Sequence, residues 1–462
     1  MISPPSDRPA GNPTPTGTAA KGSWRVGTLS YTKGGLVLLF CWLLAGDFAW
    51  SVRDRAVPQI MQILFKRFGA SDLLTGVIFS SLPAAIGMIV GPIVGYKSDR
   101  LRSGWGRRIP FLIIPIPFIV VSTIGLAFSP QLGARLNHLL GPWSWGLNPS
   151  VLLLIALFWT VFEICCLASN SVFSGLVNDV VPEVVLGRFY GLFRALGLIA
   201  GIVFFFKLMG VAEAHSAWVF LGIAALYGIG FSLMCLKVKE GEYPPPPAAS
   251  PGRFSAVRTY FKEGFSNSYY YWFFAAIVFG GLAALPFNLY SYYYAQSIGM
   301  GTAGYGKYIA LTYTCSLLLS YPLGICADRF HPLRVSMVCL ALYAAVMVCG
   351  GVLVGGASSF AFFFLLHGVV SGSFFTASAS IWQRILPRAK FAEIGSVAGV
   401  LGGIGTMIAA PAVGAFLDHA HHDYRCTFYI SAALTALAFT AYLGLYRRFI
   451  GYGGPDGYVA PV

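Results

Sequence analysis

The chain has 462 residues, of which 56% are hydrophobic and only 10% are charged, and its mean hydropathy is +0.70. A soluble protein carries about 25% charged residues, so this composition excludes a soluble globular domain and indicates a polytopic membrane protein. The formal net charge is +14, but most lysines and arginines lie in segments that the topology below places on one side of the membrane. That asymmetry is typical of membrane insertion and argues against a nucleic-acid partner.

Twelve apolar segments are long enough to cross a bilayer. We expect a disordered cytoplasmic tail over 1–33, which is rich in Pro, Gly, Ser and Thr. Spans 1 to 6 form an N-terminal half, 34–237, and spans 7 to 12 a C-terminal half, 269–447. A Pro-rich cytoplasmic linker, 238–268, joins the halves, and 448–462 is a cytoplasmic tail. The spans are predicted at 35–64, 73–96, 109–129, 150–177, 188–210, 216–237, 269–297, 303–326, 333–355, 357–383, 392–417 and 424–447.

The loop between spans 2 and 3 carries one acid, Asp99, and five positive charges: Lys97, Arg100, Arg102, Arg107 and Arg108. Basic residues near span ends fix orientation, so this loop is predicted to be cytoplasmic. Its pattern Gly-x-x-Ser-Asp-Arg, followed by Gly-Arg-Arg-x-Pro-Phe, resembles the loop between helices 2 and 3 of the major facilitator superfamily, most closely its sucrose-transporter and glycoside–cation symporter branches. The resemblance implies an all-α membrane fold of twelve helices in two pseudo-symmetric six-helix bundles.

The two halves repeat each other in sequence. Asp99-Arg100 after span 2 is matched by Asp328-Arg329 after span 8, and Asn178-Asp179 before span 5 is matched by Gln383-Arg384 before span 11. Parallel repeats place the solute near the midplane, between the halves. We expect gating contacts across the basic ends of the helices, or else a purely topogenic role, for six residues: Asp99, Arg100, Arg107, Arg108, Asp328 and Arg329.

Span 1 holds charges at membrane depth, where they are costly and usually functional. Asp47 and Asp54, seven residues apart, share a helix face with Ser51 between them. Asp47 is the first candidate for a coupling carboxylate, because a buried acid without a cation readily binds and releases a proton; the alternative is a fixed salt bridge. The setting of Asp47 also resembles melibiose-permease-like symporters, whose acid contacts sugar. Span 2 lacks the paired aspartates of the sodium-coupled members, so a proton is expected rather than sodium.

Spans 4 and 5 extend this set of coupling residues. Glu163 and Asn170 share one face of span 4, and Asn170 is a candidate solute ligand. Arg194 is a lone cation about two turns inside span 5. We expect it to pair with Glu163, Asp47 or Asp54; the alternative is that it extends to the cytoplasmic surface.

The C-terminal half offers uncharged polar groups instead. Span 7 breaks at Pro286, and its Asn288, Tyr290 and Gln296 are candidate solute ligands, as is His367 in span 10. Thr312 and Tyr313 of span 8 are also expected to face the cleft. A packing role is the alternative for His367. The segment from Asp418 to Asp423 contains three histidines but is expected to be a solvated external loop, so we assign no metal.

These observations predict a secondary transporter of a small polar solute, a sugar or glycoside, in symport with a proton. We expect a monomer in the plasma membrane's lipid bilayer with both termini cytoplasmic and no cofactor. The alternatives are an exporter of amphiphiles or drugs with the same fold, or a non-transporting sensor. An enzyme would need a nucleophile with a base, or a set of metal ligands, at one depth, and the spans show neither.

Overall fold

The computed structural model describes residues 24–243, 267–387 and 391–461. The described chain is almost entirely helical, apart from an antiparallel hairpin of Trp24–Val26 and Leu29–Tyr31. The expectation of disorder is therefore wrong for this hairpin, whose alternating Trp, Val, Leu and Tyr residues favour strands. Residues 1–23 and most of the predicted linker lie outside the described residues.

A helix satisfies all of its own backbone hydrogen bonds, which is why apolar runs in a bilayer adopt it. The membrane-spanning elements of the N-terminal half are Lys33–Arg67 (span 1), Asp72–Arg100 (span 2), Ile109–Ala127 (span 3), Leu147–Val180 (span 4) and Glu183–Lys237 (spans 5 and 6). Those of the C-terminal half are Ser268–Ser297 (span 7), Thr302–Phe330 (span 8), Pro332–Leu353 (span 9), Ala357–Ile385 (span 10), Phe391–His419 (span 11) and Cys426–Gly451 (span 12).

Spans 5 and 6 are continuous in helical structure, so the described chain has eleven long apolar helices. The shared element has 55 residues, about 80 Å at 1.5 Å per residue, which is far more than a bilayer of about 30 Å requires. It bends at His215, whose backbone is non-helical at φ −130° and ψ 43°. Because this bend lets the chain cross twice, the predicted all-α, twelve-span architecture is confirmed.

Prolines account for further interruptions. Span 7 divides into Ser268–Leu282 and Leu285–Ser297, with Pro286 in the first turn of the second helix, as predicted.

A helix that was not predicted, Ser129–Leu140, follows span 3 and packs on span 4 where Gly133 meets Val151.

The two halves meet along two pairs of helices. Span 2 packs on span 11, and span 5 packs on span 8. Under the sequence repeat, span 2 corresponds to span 8 and span 5 to span 11, so both pairs are one contact formed twice. The approach is close: a Cβ on Gly306 of span 8 would lie 2.4 Å from the carbonyl oxygen of Phe205. Small residues at such crossings let helix backbones touch.

The turn between spans 8 and 9 lies outside the membrane-spanning segments and contains a buried histidine. His331, at φ 75°, accepts a hydrogen bond on Nδ1 from the Leu333 N–H at 3.3 Å, which caps span 9. Burial, together with the Arg384 and Arg334 guanidinium groups, lowers the pKa of His331 from 6.5 to about 4. The folded protein therefore holds this imidazole neutral.

This neutral histidine predicts a loss of stability in acid. The unfolded chain takes up a proton at His331 below pH 6.5 and the folded chain only near pH 4, so stability falls across that window by about 1–3 kcal/mol. His331→Asn keeps a capping oxygen and tolerates positive φ. We expect its unfolding temperature to drop less than the parent's between pH 7.5 and 4.5. His421→Asn, at an exposed histidine with φ 53°, is the control; an equal drop in all three proteins would contradict the assignment.

Candidate functional site

A cavity of about 360 Å³ lies between the halves. Spans 1 and 5 contribute Gln59 and Phe205, and spans 7, 8 and 10 supply most of the remaining wall. Its polar lining is Gln59, Asn288, Ser291, Tyr305, Thr312, Tyr313, Ser316, His367 and Ser371, with Phe205, Phe364 and Phe375 among the apolar groups. No Asp, Glu, Lys or Arg is among the described residues that line it. We call this space the central cavity.

The hydrogen bonds of the lining leave both donors and acceptors available. Thr312 and Ser371 donate their hydroxyl protons to the carbonyl oxygens of Tyr308 (2.9 Å) and Gly368 (3.4 Å), so their oxygens can accept from a solute. Gln59 Oε1 is buried and has no hydrogen-bond partner among the described residues. A buried polar atom without a partner is costly, so a solute hydroxyl would fit there.

One wall of the central cavity is held by a buried hydrogen-bonded chain. Tyr343 of span 9 contacts His367 Nδ1 at 2.8 Å, and His367 Nε2 contacts Asn288 Oδ1 at 2.9 Å. Tyr343 and His367 are 2% and 3% exposed, whereas Asn288 is exposed to the cavity. The prediction that Asn288 and His367 face the cleft agrees with this arrangement, as does the same expectation for Thr312 and Tyr313.

A second, smaller space of about 60 Å³ lies between spans 1 and 4. It brings together the predicted coupling residues Asp54 and Glu163 with Asn170, and adds Arg53. We call it the charged cavity. Asn170 therefore lies with the charges and not in the central cavity, contrary to its assignment as a solute ligand.

Arg53 is the buried cation of this cavity, at 1% exposure. Its guanidinium carbon lies 4.1 Å from the ring centroid of Trp50 and 4.6 Å from that of Tyr227, and its nearest acid, Asp54, is 3.9 Å away. None of its side-chain nitrogens has a hydrogen-bond partner in the described chain. Cation–π contacts thus stabilise a charge that water does not reach.

Asp47 is 1% exposed but does not line either cavity. Its Oδ1 accepts a long hydrogen bond of 3.5 Å from Ser51, and its Oδ2 is buried without a partner in the described structure. In this conformation Asp47 therefore lies outside the central cavity, and its predicted contact with a solute stays a prediction. An unpaired buried carboxyl group strongly favours its neutral form, which fits the predicted protonation.

Arg194 does not form the predicted ion pair with Glu163, Asp47 or Asp54. Its Nη2 donates to the Thr376 hydroxyl of span 10 at 3.0 Å, so it connects the two halves. Span 1 carries its own deep cation, Arg53, which is the arginine that lies beside Asp54 and Glu163. The sequence distance between spans gave no means of choosing between these arginines.

Tyr290 and Gln296 do not line the central cavity in this conformation, so the structure does not bring them together with Asn288 and His367. Their role as solute ligands stays a prediction. Tyr290 is fully buried and donates its hydroxyl to the Asp72 carbonyl oxygen at 2.7 Å. Gln296 donates to the Met300 carbonyl and the Thr302 hydroxyl, both at 3.2 Å, which closes the turn before span 8. The helix after Pro286 carries both side chains away from the cavity.

Tyr290 belongs to a group of contacts that joins the halves at one end, which we call the sealed end. The Asp418 carboxylate accepts from the backbone N–H groups of Asp72 and Leu73, at 2.8 and 2.9 Å. The Asp72 carboxylate accepts from His422 at 2.7 Å and from the Tyr424 hydroxyl at 3.1 Å. Burial and the neighbouring Asp72 carboxylate raise the pKa of Tyr424, so this phenol remains a donor.

The segment from Asp418 to Asp423 is therefore not the freely solvated loop that we expected. Carboxylate and imidazole atoms of Asp72, Asp418 and His422 lie within 4.8 Å of one another, a spacing that could hold a metal. Hydrogen bonds already occupy all four carboxylate oxygens, and they account for the cluster as a seal between spans 2 and 11. A Cβ at Gly414 would lie 2.3 Å from the Asp72 carbonyl, so the backbones touch here too.

The opposite, basic end carries the predicted gating residues. Arg108 pairs with Asp99 at 2.6 Å and with Asp179 at 3.0 Å, and Arg107 pairs with Asp179 at 2.7 Å. In the other half Asp328 pairs with Arg384 at 2.5 Å. These four ion pairs join helix ends of the same half, which agrees with the expected contacts across the basic ends of the helices. That they latch one state of a transport cycle stays a prediction.

The other two predicted gating residues make aromatic contacts. The guanidinium carbon of Arg100 lies 4.4 Å from the ring centroid of Tyr96, and that of Arg329 lies 5.4 Å from that of Phe330. These are neighbours in their own helices, so the aromatic contacts do not connect the halves.

Glu240 in the first residues after span 6 completes the basic end. Its carboxylate accepts from the N–H groups of Arg107, Arg108 and Ile109 at 2.7 to 3.0 Å, which caps the N-terminus of span 3. The Tyr243 hydroxyl also donates to it, at 3.0 Å. Burial and the Glu240 and Asp179 carboxylates raise the pKa of Tyr243, so it too remains a donor.

Sequence reasoning missed five polar residues of the central cavity, and Asp72 at the sealed end. The five are Gln59, Ser291, Tyr305, Ser316 and Ser371. They are polar residues within apolar spans, which is a usable signal. Asp72 reads as an ordinary helix-start acid next to the capping Ser71, and its role depends on a partner 346 residues away.

Comparisons with known proteins agree with this architecture. The family model described as MFS/sugar transport protein matches residues 64–415. Sucrose transport protein SUT1 from Oryza sativa subsp. japonica is 32% identical over 98 residues, covering 21% of this chain and 17% of the rice protein. The matched segment is thus less than a fifth of that relative.

Two solved structures share the fold at low identity. A bacterial homolog of the human lysosomal transporter Spinster, in an inward-facing and occupied conformation, is 13% identical with a TM-score of 0.64, covering 92% of this chain and 98% of that one. A bacterial homologue of the iron transporter ferroportin, in an inward-facing state, is 17% identical with a TM-score of 0.63, covering 89% and 99%.

The seal predicts a measurable local opening. Asp418→Asn removes the charge that caps span 2 and a carboxylate beside His422, so the Asp72 and Leu73 amides should exchange hydrogen about tenfold faster. Hydrogen–deuterium exchange of the peptide covering 69–76 checks this. Asp423→Asn is the control, since within the described chain the Asp423 carboxylate accepts from the backbone N–H of Arg425, two residues away, and from no residue of span 2. Equal exchange in the two variants would refute the seal.

The Glu240 cap predicts a loss of stability when it is removed. Glu240→Ala leaves three N–H groups at a helix N-terminus without their acceptor, which costs about 1–3 kcal/mol. Thermal unfolding of the detergent-solubilised protein should begin at a lower temperature. The neighbouring Glu242→Ala is the matched control, because among the described residues Glu242 is bonded through its backbone N–H, to the Thr28 hydroxyl, and not through its carboxylate. The cap is ruled out if both variants unfold at the same temperature.

Proposed function

This chain belongs to the MFS/sugar transport protein family, and from that premise we propose that it moves a neutral sugar or glycoside across the membrane together with a proton. The observation that carries the proposal is the central cavity, about 360 Å³ in volume, which has amide and hydroxyl groups, aromatic rings and no charged side chain among its described lining residues. Small-molecule sites are typically 300–1,000 Å³.

The lining matches the chemistry of a sugar. Hydroxyl groups on a sugar both donate and accept, and the cavity offers the unpaired Gln59 oxygen as an acceptor and the Asn288 amide as a donor. Rings such as those of Tyr305, Phe364 and Phe375 suit the apolar C–H faces of a pyranose. A phosphorylated or acidic solute would find no cation among the described residues that line the cavity to replace its hydration.

The proton is assigned to the N-terminal half. Asp47 has an unpaired buried oxygen, and Glu163 faces the buried Arg53 across the charged cavity. Protonating Asp47 removes a negative charge from a buried site, and protonating Glu163 removes the negative charge that faces Arg53. Either event changes the energy of helix packing by several kcal/mol. Sodium is the less suitable ion, because the charged cavity holds a competing guanidinium.

Span 1 is the physical connection between proton and solute. It contributes Gln59 to the central cavity and, one residue earlier, Pro58 to the charged cavity. A change in charge at Asp54 or Glu163 that shifts span 1 therefore also moves a solute contact. Pro58 lacks the N–H of an ordinary helical residue, which makes such a shift less costly.

The sealed end is assigned to the outside, because the basic loop marks the cytoplasmic end. The conformation is then closed to the outside by Asp72, Asp418, His422 and Tyr424. Alternating access requires these cross-half bonds to break while the halves rock about the central cavity. We place the protein in the plasma membrane with both termini cytoplasmic, working as a monomer.

Uptake by proteoliposomes tests the function. We expect a labelled neutral mono- or disaccharide to accumulate when an inward proton gradient is imposed. Asp47→Asn and Glu163→Gln should each reduce accumulation tenfold or more. Both variants should still exchange solute between equal concentrations inside and outside, because exchange needs no net proton movement. Glu183→Gln, at an exposed acid at the start of span 5, should behave as the parent.

Two results would count against the proposal. If uptake by the parent does not depend on the pH gradient, transport is not coupled to a proton. A failure to transport any neutral saccharide, with transport of an apolar cation instead, would favour an exporter of amphiphiles.

A further inference from the structure

Tyr343 lies on span 9, outside the central cavity, yet its hydroxyl is the first member of a hydrogen-bonded chain that ends there. It is 2% exposed, and its ring centroid is 5.5 Å from that of His367. Phe287, whose ring centroid is 4.4 Å from that of His367, packs against the same imidazole. The imidazole is therefore held by packing as well as by hydrogen bonds.

The chemistry of the chain sets the direction of every proton. A carboxamide oxygen can only accept, so His367 Nε2, 2.9 Å from Asn288 Oδ1, carries the hydrogen. In a neutral imidazole the other nitrogen is then an acceptor. Nδ1 must receive the Tyr343 hydroxyl proton across the 2.8 Å contact. The buried Tyr343 hydroxyl has no other hydrogen-bond partner among the described residues, so donating to Nδ1 is the one way it satisfies its proton. This donation favours the tautomer with hydrogen on Nε2, and that tautomer orients the Asn288 amide with its oxygen toward His367.

The result is a defined donor in the cavity. With its oxygen held by His367, Asn288 directs its Nδ2 amino group elsewhere, and that group has no acceptor among the described residues. The nearby Thr312 and Ser371 hydroxyls donate to backbone carbonyls and so present oxygen lone pairs. The wall therefore combines one amide donor with hydroxyl acceptors at separate positions.

We propose that Tyr343 is a positioning residue for solute recognition, and that through His367 it makes Asn288 a donor to one oxygen of the solute. This inference rests on the proposed function, since the solute is taken to be a neutral saccharide. It adds a specificity rule: the position that faces Asn288 must carry an oxygen able to accept, and a deoxy analogue at that position is discriminated against.

The test compares the parent with Tyr343→Phe in proteoliposomes, using the saccharide that the parent transports best and its set of monodeoxy analogues. Exchange at equal concentrations gives the half-saturation concentration for each. We expect the parent to discriminate against one deoxy analogue by about tenfold. In Tyr343→Phe this discrimination should fall to about twofold, because the imidazole can then reverse its tautomer and the amide can turn.

A purely structural role for Tyr343 would weaken binding of all analogues equally and leave the ratio unchanged, which would overturn the proposal. Tyr442→Phe is the matched control, since Tyr442 is a buried tyrosine of the same half that packs on Phe374 instead. It should keep the full discrimination.

A second pair of variants decides the matter if Tyr343→Phe does not fold. His367→Gln can supply an N–H donor and a carbonyl acceptor in place of the two ring nitrogens and should keep most of the discrimination, whereas His367→Leu should lose it. If His367→Gln and His367→Leu discriminate against the deoxy analogue equally, the proposed action of Tyr343 on Asn288 through His367 is refuted. If the parent discriminates among no analogues although it transports the sugar, this inference fails and the transport function stands. If the parent transports no neutral saccharide, both fail.

Discussion

The hydrogen bonds between Asp418 and the first turn of span 2 are the constraint on which the rest of the arrangement depends. They place a carboxylate at a helix N-terminus, where exposed N–H groups and the helix dipole both favour negative charge. Because the two partners belong to different halves, the same bonds hold the halves together at one end. The Asp72 carboxylate extends the contact by accepting from His422 and Tyr424. Both the backbone N–H and the side chain of Asp72 therefore bind the first turn of span 2 to the other half.

Charge and neutral polarity are kept in separate places. The central cavity is lined by amides, hydroxyls and rings, while the buried Arg53, Glu163 and the 67% exposed Asp54 line the charged cavity of the N-terminal half. In a low-dielectric interior an unpaired charge costs far more than an unpaired hydroxyl. A neutral solute can therefore be bound and released by the neutral wall at modest cost. The larger energies of charge are available in the other cavity, where the proposed proton acts.

Particular residues show how far the sequence could go. Asn288 and His367 were recognisable because polar groups are rare in apolar spans, and both belong to the central cavity. Tyr290 and Gln296 gave the same signal from the same helix, but Tyr290 bonds to span 2 of the other half and Gln296 bonds within the turn before span 8. The sequence shows that a residue is polar within an apolar span. It does not show which neighbouring helix will supply its partner. The two arginines show the same limit: both are cations within apolar spans, but Arg53 lies beside Glu163 whereas Arg194 bonds to Thr376 of the other half.

By itself the sequence determined the all-α membrane architecture, the twelve spans, the repeat between halves and the deep placement of Asp47 and Glu163. These depend on local hydrophobicity and on charge near span ends, and both are properties of short segments. Only the tertiary structure decided that Asp72 meets Asp418, that Arg53 and not Arg194 accompanies Glu163, and that Tyr343, His367 and Asn288 form one hydrogen-bonded chain. Each of these depends on side chains from different helices meeting within about 3–4 Å, because hydrogen bonds and ion pairs are short-ranged, and helix packing alone brings them together.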